Sequence, residues 1–145
     1  MGLFSRNRST AKTPENTTVM AVMLDGPETV AIVGEASYQP AIRAVCGKRV
    51  GQAAHHQCVA ALVPEPTNKY DAHAIRIDIE GSTVGYLSRG DALDYGPVVD
   101  RFTAQRKIIA CEALIAGRGG AGETPNLGVF LTLPGPDEAL RDADD

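Results

Sequence analysis

Asn68-Lys69-Tyr70-Asp71-Ala72-His73-Ala74-Ile75-Arg76-Ile77-Asp78-Ile79-Glu80-Gly81-Ser82-Thr83-Val84-Gly85-Tyr86-Leu87-Ser88-Arg89 is the stretch from which the fold is read. Ile75, Ile77 and Ile79 alternate with Arg76 and Asp78, the two-residue period of a strand with one buried and one wet face. Glu80-Gly81-Ser82 places a glycine where a tight hairpin turn needs positive φ. Thr83 to Leu87 returns as a second strand, and Gly85 leaves room in it for a close approach. Ahead of the hairpin, Asn68 and Asp71 are turn formers flanking Lys69 and Tyr70. A polar turn that carries an aromatic ring and feeds a rigid hairpin is a common way to build a binding site.

Outward from the hairpin, the pattern stays β-rich. Residues 19–24 read as a short strand ended by Asp25-Gly26-Pro27, and β-branched residues mark a strand over 29–33. Ser37 or Gln39 is placed to cap a helix with Pro40 in its first turn, running to Gly47. Residues 57–63 read as a strand stopped by Pro64 and Pro66. Ser88, with Asp91 three residues on, imitates a capping box for a short helix to Tyr95. Gly96-Pro97 is expected to break it before a weaker helical stretch over 98–105. Strands follow over 108–115 and 127–133, separated by a glycine-rich loop over 117–126. The fold class is mainly β with two short helices, an OB-like small β-barrel of about six strands. The domain is expected over 19–134, between a flexible N-terminal tail (1–18) and a solvated acidic C-terminal tail (135–145).

The formal charge of −4 argues against a general nucleic-acid coat. Its distribution softens that exclusion. Five acids against Arg141 in residues 137–145 account for all of it, while Arg6, Arg8 and Lys12 make the other end basic. The remainder is near neutral, so any attraction for phosphate must be local. No apolar run is long enough to span a bilayer, and the N-terminus has no signal-peptide apolar core. A cytoplasmic location without membrane contact is expected. Cys46, Cys58 and Cys111 are odd in number and widely spaced, which suits reduced thiols.

Four tyrosines, Tyr38, Tyr70, Tyr86 and Tyr95, lie among only seven aromatic residues. Near turns, such rings either stack unpaired bases, worth about 1–3 kcal/mol each, or cap the barrel with the hydroxyl in water. Asp71 likewise serves either as an Asx-turn cap or as an acceptor for a ligand, and Asn68 fits turn-making best. Arg89 stands at a helix start, where a solvated charge and a phosphate contact are equally served. Lys69 and Arg43 are lesser candidates for the same rim. Cys46, His55, His56 and Cys58 are close in sequence but match no tight zinc spacing, so no metal and no cofactor is expected. Gly117-Arg118-Gly119-Gly120-Ala121-Gly122 lacks the Gly-Lys-Ser/Thr ending of a phosphate-cradling loop. Catalysis by this chain is not expected.

Three motifs in order resemble the HIRAN domain family: Val33-Gly34-Glu35-Ala36-Ser37-Tyr38-Gln39-Pro40, then Pro64-x-Pro66-x-Asn68-x-Tyr70-Asp71-x-x-Ala74-Ile75, then Val84-Gly85-Tyr86-Leu87-Ser88-Arg89. The resemblance spans residues 30–133. It implies an OB-like barrel that binds single-stranded or frayed DNA with preference for a 3′ end. It implies that Tyr70 and Tyr38 hold bases, that Asp71 meets the free 3′-hydroxyl, and that Arg89 contacts a phosphate. Ser37, Asn68, Lys69 and Tyr86 complete the expected nucleic-acid-binding set. The chain departs from the family at Ala36-Ser37-Tyr38, where the vertebrate domain has an arginine and two adjacent aromatics. Lys69 stands in place of a common proline, and His73 in place of a common asparagine. The expected role is a recognition module in repair or replication that works beside a protein of those pathways. The alternative is a protein-interaction module on a barrel that has lost DNA binding.

Overall fold

The computed structural model of the protein describes residues 19–118 and 126–144. The tail expected over 1–18 and most of the loop expected over 117–126 lie outside them. Seven strands are described: β1 (Met20–Leu24), β2 (Glu28–Ala31), β3 (Ala54–Pro64), β4 (Ile75–Ile79), β5 (Ser82–Tyr86), β6 (Lys107–Gly117) and β7 (Gly128–Leu133). Three helices accompany them: α1 (Gln39–Cys46), α2 (Arg89–Ala104) and α3 (Pro136–Asp144). The strands form one sheet in the order β2-β7-β6-β3-β4-β5, with antiparallel pairing along that path. β1 lies off the path and runs parallel to the first half of β6. The expected mainly β, OB-like architecture is present, with β1 as a strand beyond the six of the path.

The two ends of the path meet. Val33, two residues beyond β2, exchanges both backbone hydrogen bonds with Tyr86 at the end of β5, at 2.8 and 3.0 Å. This bridge joins the first strand of the path to the last. Gly85 permits it, because a Cβ there would lie 2.6 Å from the Val33 carbonyl oxygen and 2.7 Å from Ile32 Cδ1. The register of β4 on β5 also shifts between Ile77 and Asp78, a bulge that bends the hairpin just ahead of the bridge. The hairpin turn is tight, with positive φ at both Glu80 and Gly81.

Inside the curled sheet, the alternating isoleucines take the expected face. Ile75, Ile77 and Ile79 are buried together with Leu62, Ile109, Ile115, Val129, Leu131 and Leu133. Burying each such side chain stabilises the fold by about 1.5–3 kcal/mol. Neither Ser37 nor Gln39 caps α1 through its side chain. Gln39 instead reaches the entry to β7, donating to the Leu127 carbonyl and accepting from the Leu127 N–H, both at 2.9 Å. A backbone pair across 88 residues satisfies both halves of that amide, which its own helix end cannot do.

Two expectations fail at the helices. Gly96-Pro97 does not break α2, which runs unbroken from Arg89 to Ala104 with Pro97 inside it. Proline costs one hydrogen bond in a helix, but Gly96 has no Cβ to clash with the ring. Tyr95, Val98, Val99 and Phe102 are buried on both sides of the proline, and that shared apolar face holds the helix together. The acidic C-terminal segment is also not a solvated tail. Residues 136–144 form α3, with Ala139 and Ala143 buried. Tyr95 donates to the Pro134 carbonyl at 2.7 Å, Gln105 donates to the Ala143 carbonyl at 2.8 Å, and Arg101 pairs with Asp144. The expected cap of α2 does form: Ser88 Oγ accepts from the Asp91 N–H at 3.1 Å.

Gly85→Ala tests the closure. The substitution should cost about 2–4 kcal/mol, from a positive-φ position and a clash with backbone together. Urea denaturation reads it directly. A cost below about 1 kcal/mol would mean that the bridge contributes little to the fold.

Candidate functional site

Tyr38, Asn68, Tyr70, Asp71, Ala74, Tyr86, Leu87 and Arg89 line one cleft of about 380 Å³. Six of the eight residues singled out from the sequence therefore come together, from separate places in the chain. Ser37 and Lys69 do not line it. Ser37 is exposed on the short 3-10 turn Glu35–Tyr38, and Lys69 is exposed with its Nζ 5.8 Å from the Tyr70 ring centre. Arg43 is away from this rim as well, buried on α1 with its guanidinium donating to the Arg49 carbonyl.

Each wall has a local cause. Asn68 is the turn builder: its Oδ1 accepts from the N–H groups of Tyr70 (2.9 Å) and Asp71 (3.1 Å). This double Asx contact projects Tyr70 outward, leaving it 82% exposed. Asp71 divides its carboxylate. Oδ1 accepts from the His73 N–H at 2.9 Å and holds the next turn, while Oδ2 lies 3.9 Å from Arg89 Nε. That second distance exceeds a hydrogen bond, so Oδ2 keeps its acceptor capacity. The Asp71 side chain is only 23% exposed, whereas Arg89, in the first turn of α2, is 78% exposed. The floor comes from the sheet closure. Tyr86 follows Gly85, and its ring centre lies 6.4 Å from that of Tyr38 at 49°, a tilted aromatic pair.

One residue of the site is not legible from local pattern. Glu65 stands between Pro64 and Pro66, in a segment whose prolines signal only the end of a strand. Its Oε1 accepts from Asn68 Nδ2 (2.9 Å) and from the Tyr86 hydroxyl (3.0 Å). Its Oε2 accepts from the Arg76 guanidinium at 3.1 Å. Arg76 grips Asp78 with two further bonds, at 2.9 and 3.0 Å, and Thr83 also donates to Asp78. The outward face of the β4–β5 hairpin is thus a polar network tied by Glu65 to the Asn68 turn and the Tyr86 floor. The Asn68 hydrogen bond, with those of Arg76 and Tyr86, holds the Glu65 carboxyl below its ordinary value. Burial, reinforced by the hydrogen bond to Glu65, pushes the Tyr86 phenol up to about 12. The available signal for Glu65 is an acid fixed between two prolines just ahead of a turn-forming asparagine.

The histidine and cysteine cluster shows no assembly of this kind. His55 and His56 are neighbours on β3, so the strand sends their side chains to opposite faces. Among the described residues, no three His, Cys, Asp or Glu side chains gather as a metal ion needs. Burial pushes the Cys111 thiol up to about 12, as suits an inert core cysteine. No described helix is long and apolar enough to cross a membrane.

The model of the HIRAN domain matches residues 43–120, more than half of the chain. The chain belongs to the HIRAN domain family. Among solved structures, it is similar to the HIRAN domain of human HLTF at 21% identity and a TM-score of 0.46, covering 81% of this chain and 83% of that one. It is also similar to a structural-genomics protein from Lactobacillus plantarum, at 23% identity and a TM-score of 0.42, covering 74% of this chain and 91% of that one. No curated protein matches the sequence. The matched range contains Asn68, Tyr70, Asp71, Tyr86 and Arg89 of the cleft, while Tyr38 lies ahead of it.

Glu65→Gln tests the network through its acid limb. A carboxyl with a depressed folded pKa gives stability that is present above the unfolded value and lost as pH falls through the folded one. The unmodified protein should therefore lose stability between about pH 5 and 3, and Glu65→Gln should flatten that fall while being less stable at neutral pH. Urea midpoints measured across that range decide it. Superimposable profiles would remove Glu65 from the account.

Proposed function

We propose that this HIRAN domain binds the 3′ end of single-stranded or frayed DNA in the Tyr38–Tyr70–Asp71–Arg89 cleft. The family is a DNA-binding module without catalysis, which supports nucleic acid as the ligand class. The observation that carries the finer reading is the divided carboxylate of Asp71. One oxygen is committed to the His73 turn. The other makes no hydrogen bond among the described residues and lies 3.9 Å from the exposed Arg89 guanidinium, which lines the same cleft. A carboxylate accepts a hydrogen bond from a terminal hydroxyl and repels the phosphate that would be there if the strand continued. An acid inside a DNA pocket therefore selects ends over interior positions.

The other walls have matching roles. Tyr70 stands free to stack on the terminal base, and the Tyr38–Tyr86 pair offers a second apolar surface. Arg89 holds a phosphate one step inward, supported by the N–H groups of the first turn of α2. The role that follows is recognition of exposed ends in repair or replication, with any chemistry performed by a partner enzyme.

Fluorescence anisotropy at low and moderate salt tests this with one short strand ending in 3′-hydroxyl and the same strand ending in 3′-phosphate. The hydroxyl end should bind at least about tenfold tighter, a difference of about 1.4 kcal/mol. Asp71→Asn should bring the two ends closer together, because an amide does not repel phosphate. Tyr70→Ala should weaken both by about 1–3 kcal/mol. Arg89→Ala should weaken both and reduce the salt dependence by about one phosphate contact. Equal affinity for the two ends would leave DNA binding and remove end selection. Binding of neither would move the function to a protein partner.

A further inference from the structure

The cleft is one of three depressions that share lining residues. Ala74 lines both the cleft and a neighbouring cavity of about 200 Å³, whose walls include Pro64, Pro66, His73, Val99 and Thr103. Pro64 and Thr103 line a third depression as well, of about 480 Å³, which reaches Arg106, Lys107 and Ile108. The three lie in sequence beside α2, from Arg89 at its start to Arg106 just beyond its end. A helix of 16 residues at 1.5 Å per residue makes that path about 24 Å long.

The far end is basic: Arg106 and Lys107 stand side by side in its lining. Like Lys48, Arg49, Lys69 and Arg141, neither pairs with an acid among the described residues, whereas Arg76 pairs with Glu65 and Asp78 and Arg101 with Asp144. Arg106 also holds φ at 59°, fixed by its N–H donating to the Thr103 carbonyl at 2.9 Å. Just past a helix end, that left-handed position is the usual place for glycine. The helix dipole favours a cation nearby but does not require one at the strained residue.

We infer that these three depressions form one groove that carries the single strand away from its 3′ end, and that Arg106 and Lys107 hold backbone phosphates at its far end. This rests on the end-binding reading proposed above. Pro64, Pro66 and Val99 give the middle section apolar walls for base faces. Asp100 lines the same section and repels phosphate, so the sugar–phosphate backbone runs on the His73 side there. At about 3.4 Å per stacked nucleotide, and fewer nucleotides when the strand is extended, the path holds about four to seven.

The test uses 3′-hydroxyl strands of about three and about ten nucleotides with the intact protein, an Arg106→Glu/Lys107→Glu double variant and Arg106→Gly. The unmodified protein should bind the longer strand at least about tenfold tighter. The double variant should bind the short strand normally, lose most of that gain, and show a salt slope for the long strand shallower by about 1.4, at about 0.7 per phosphate. Arg106→Gly should lose part of the gain without lowering the melting temperature, since glycine suits the backbone there. Three results overturn the inference: no gain with length, no loss in the double variant, or equal loss for both lengths, which marks a general charge effect. A short strand that binds with no gain from length sinks only the groove. Failure of the unmodified protein to bind either strand sinks the end-binding reading and this one with it.

Discussion

The paired hydrogen bonds between Val33 and Tyr86 are the constraint on which the rest of the structure depends. They join the extension of β2 to β5 and so turn a six-strand path into a closed curl. They also fix where Tyr86 stands, and Tyr86 is the floor of the cleft. One small residue makes this possible. Gly85 lets two backbones and the Ile32 side chain occupy the space that any other residue would fill. Fold and site therefore share a single point of origin, and the Tyr38 ring reaches its partner because the closure has already placed Tyr86.

A second layer of order is polar. Glu65 receives donors from the Asn68 turn, from the Tyr86 floor and from Arg76 on the hairpin. A carboxylate with three donors is well compensated for partial burial, and its depressed pKa expresses that compensation. The arrangement orients the rim without occupying the cleft, because Glu65 is not among the residues that line it. Asp71 and Tyr70 are thereby held in position on the cleft wall.

Asp71 illustrates how one small side chain meets two demands. Its Oδ1 completes a turn, while its Oδ2 lies 3.9 Å from Arg89 without a hydrogen bond, so holding the turn leaves the second oxygen with acceptor capacity. The same economy does not extend to every candidate. Ser37 is exposed outside the cleft, Lys69 sits exposed near the Tyr70 ring, and Arg43 is buried on α1. Nearness to a motif along the chain puts these three on the expected rim, and the geometry of the turns sends them elsewhere.

The sequence by itself determined the local elements whose cause is local. Alternating isoleucines specify β4, a glycine turn specifies the hairpin, Ser88 specifies the start of α2, and Asn68 and Asp71 specify the rim turns. It also determined the family, because the order of three short motifs is itself sequence information. The tertiary structure decided what depends on burial across long separations. Pro97 is tolerated because Tyr95, Val98, Val99 and Phe102 bury one face on both sides of it. The acidic C-terminal residues are helical because Ala139 and Ala143 find α2 and the core to pack against. Glu65 became a hub only when Asn68, Arg76 and Tyr86, separated by up to 21 residues from it, converged on its two oxygens. Propensity is a property of neighbours along the chain, whereas desolvation and hydrogen-bond satisfaction are properties of neighbours in space.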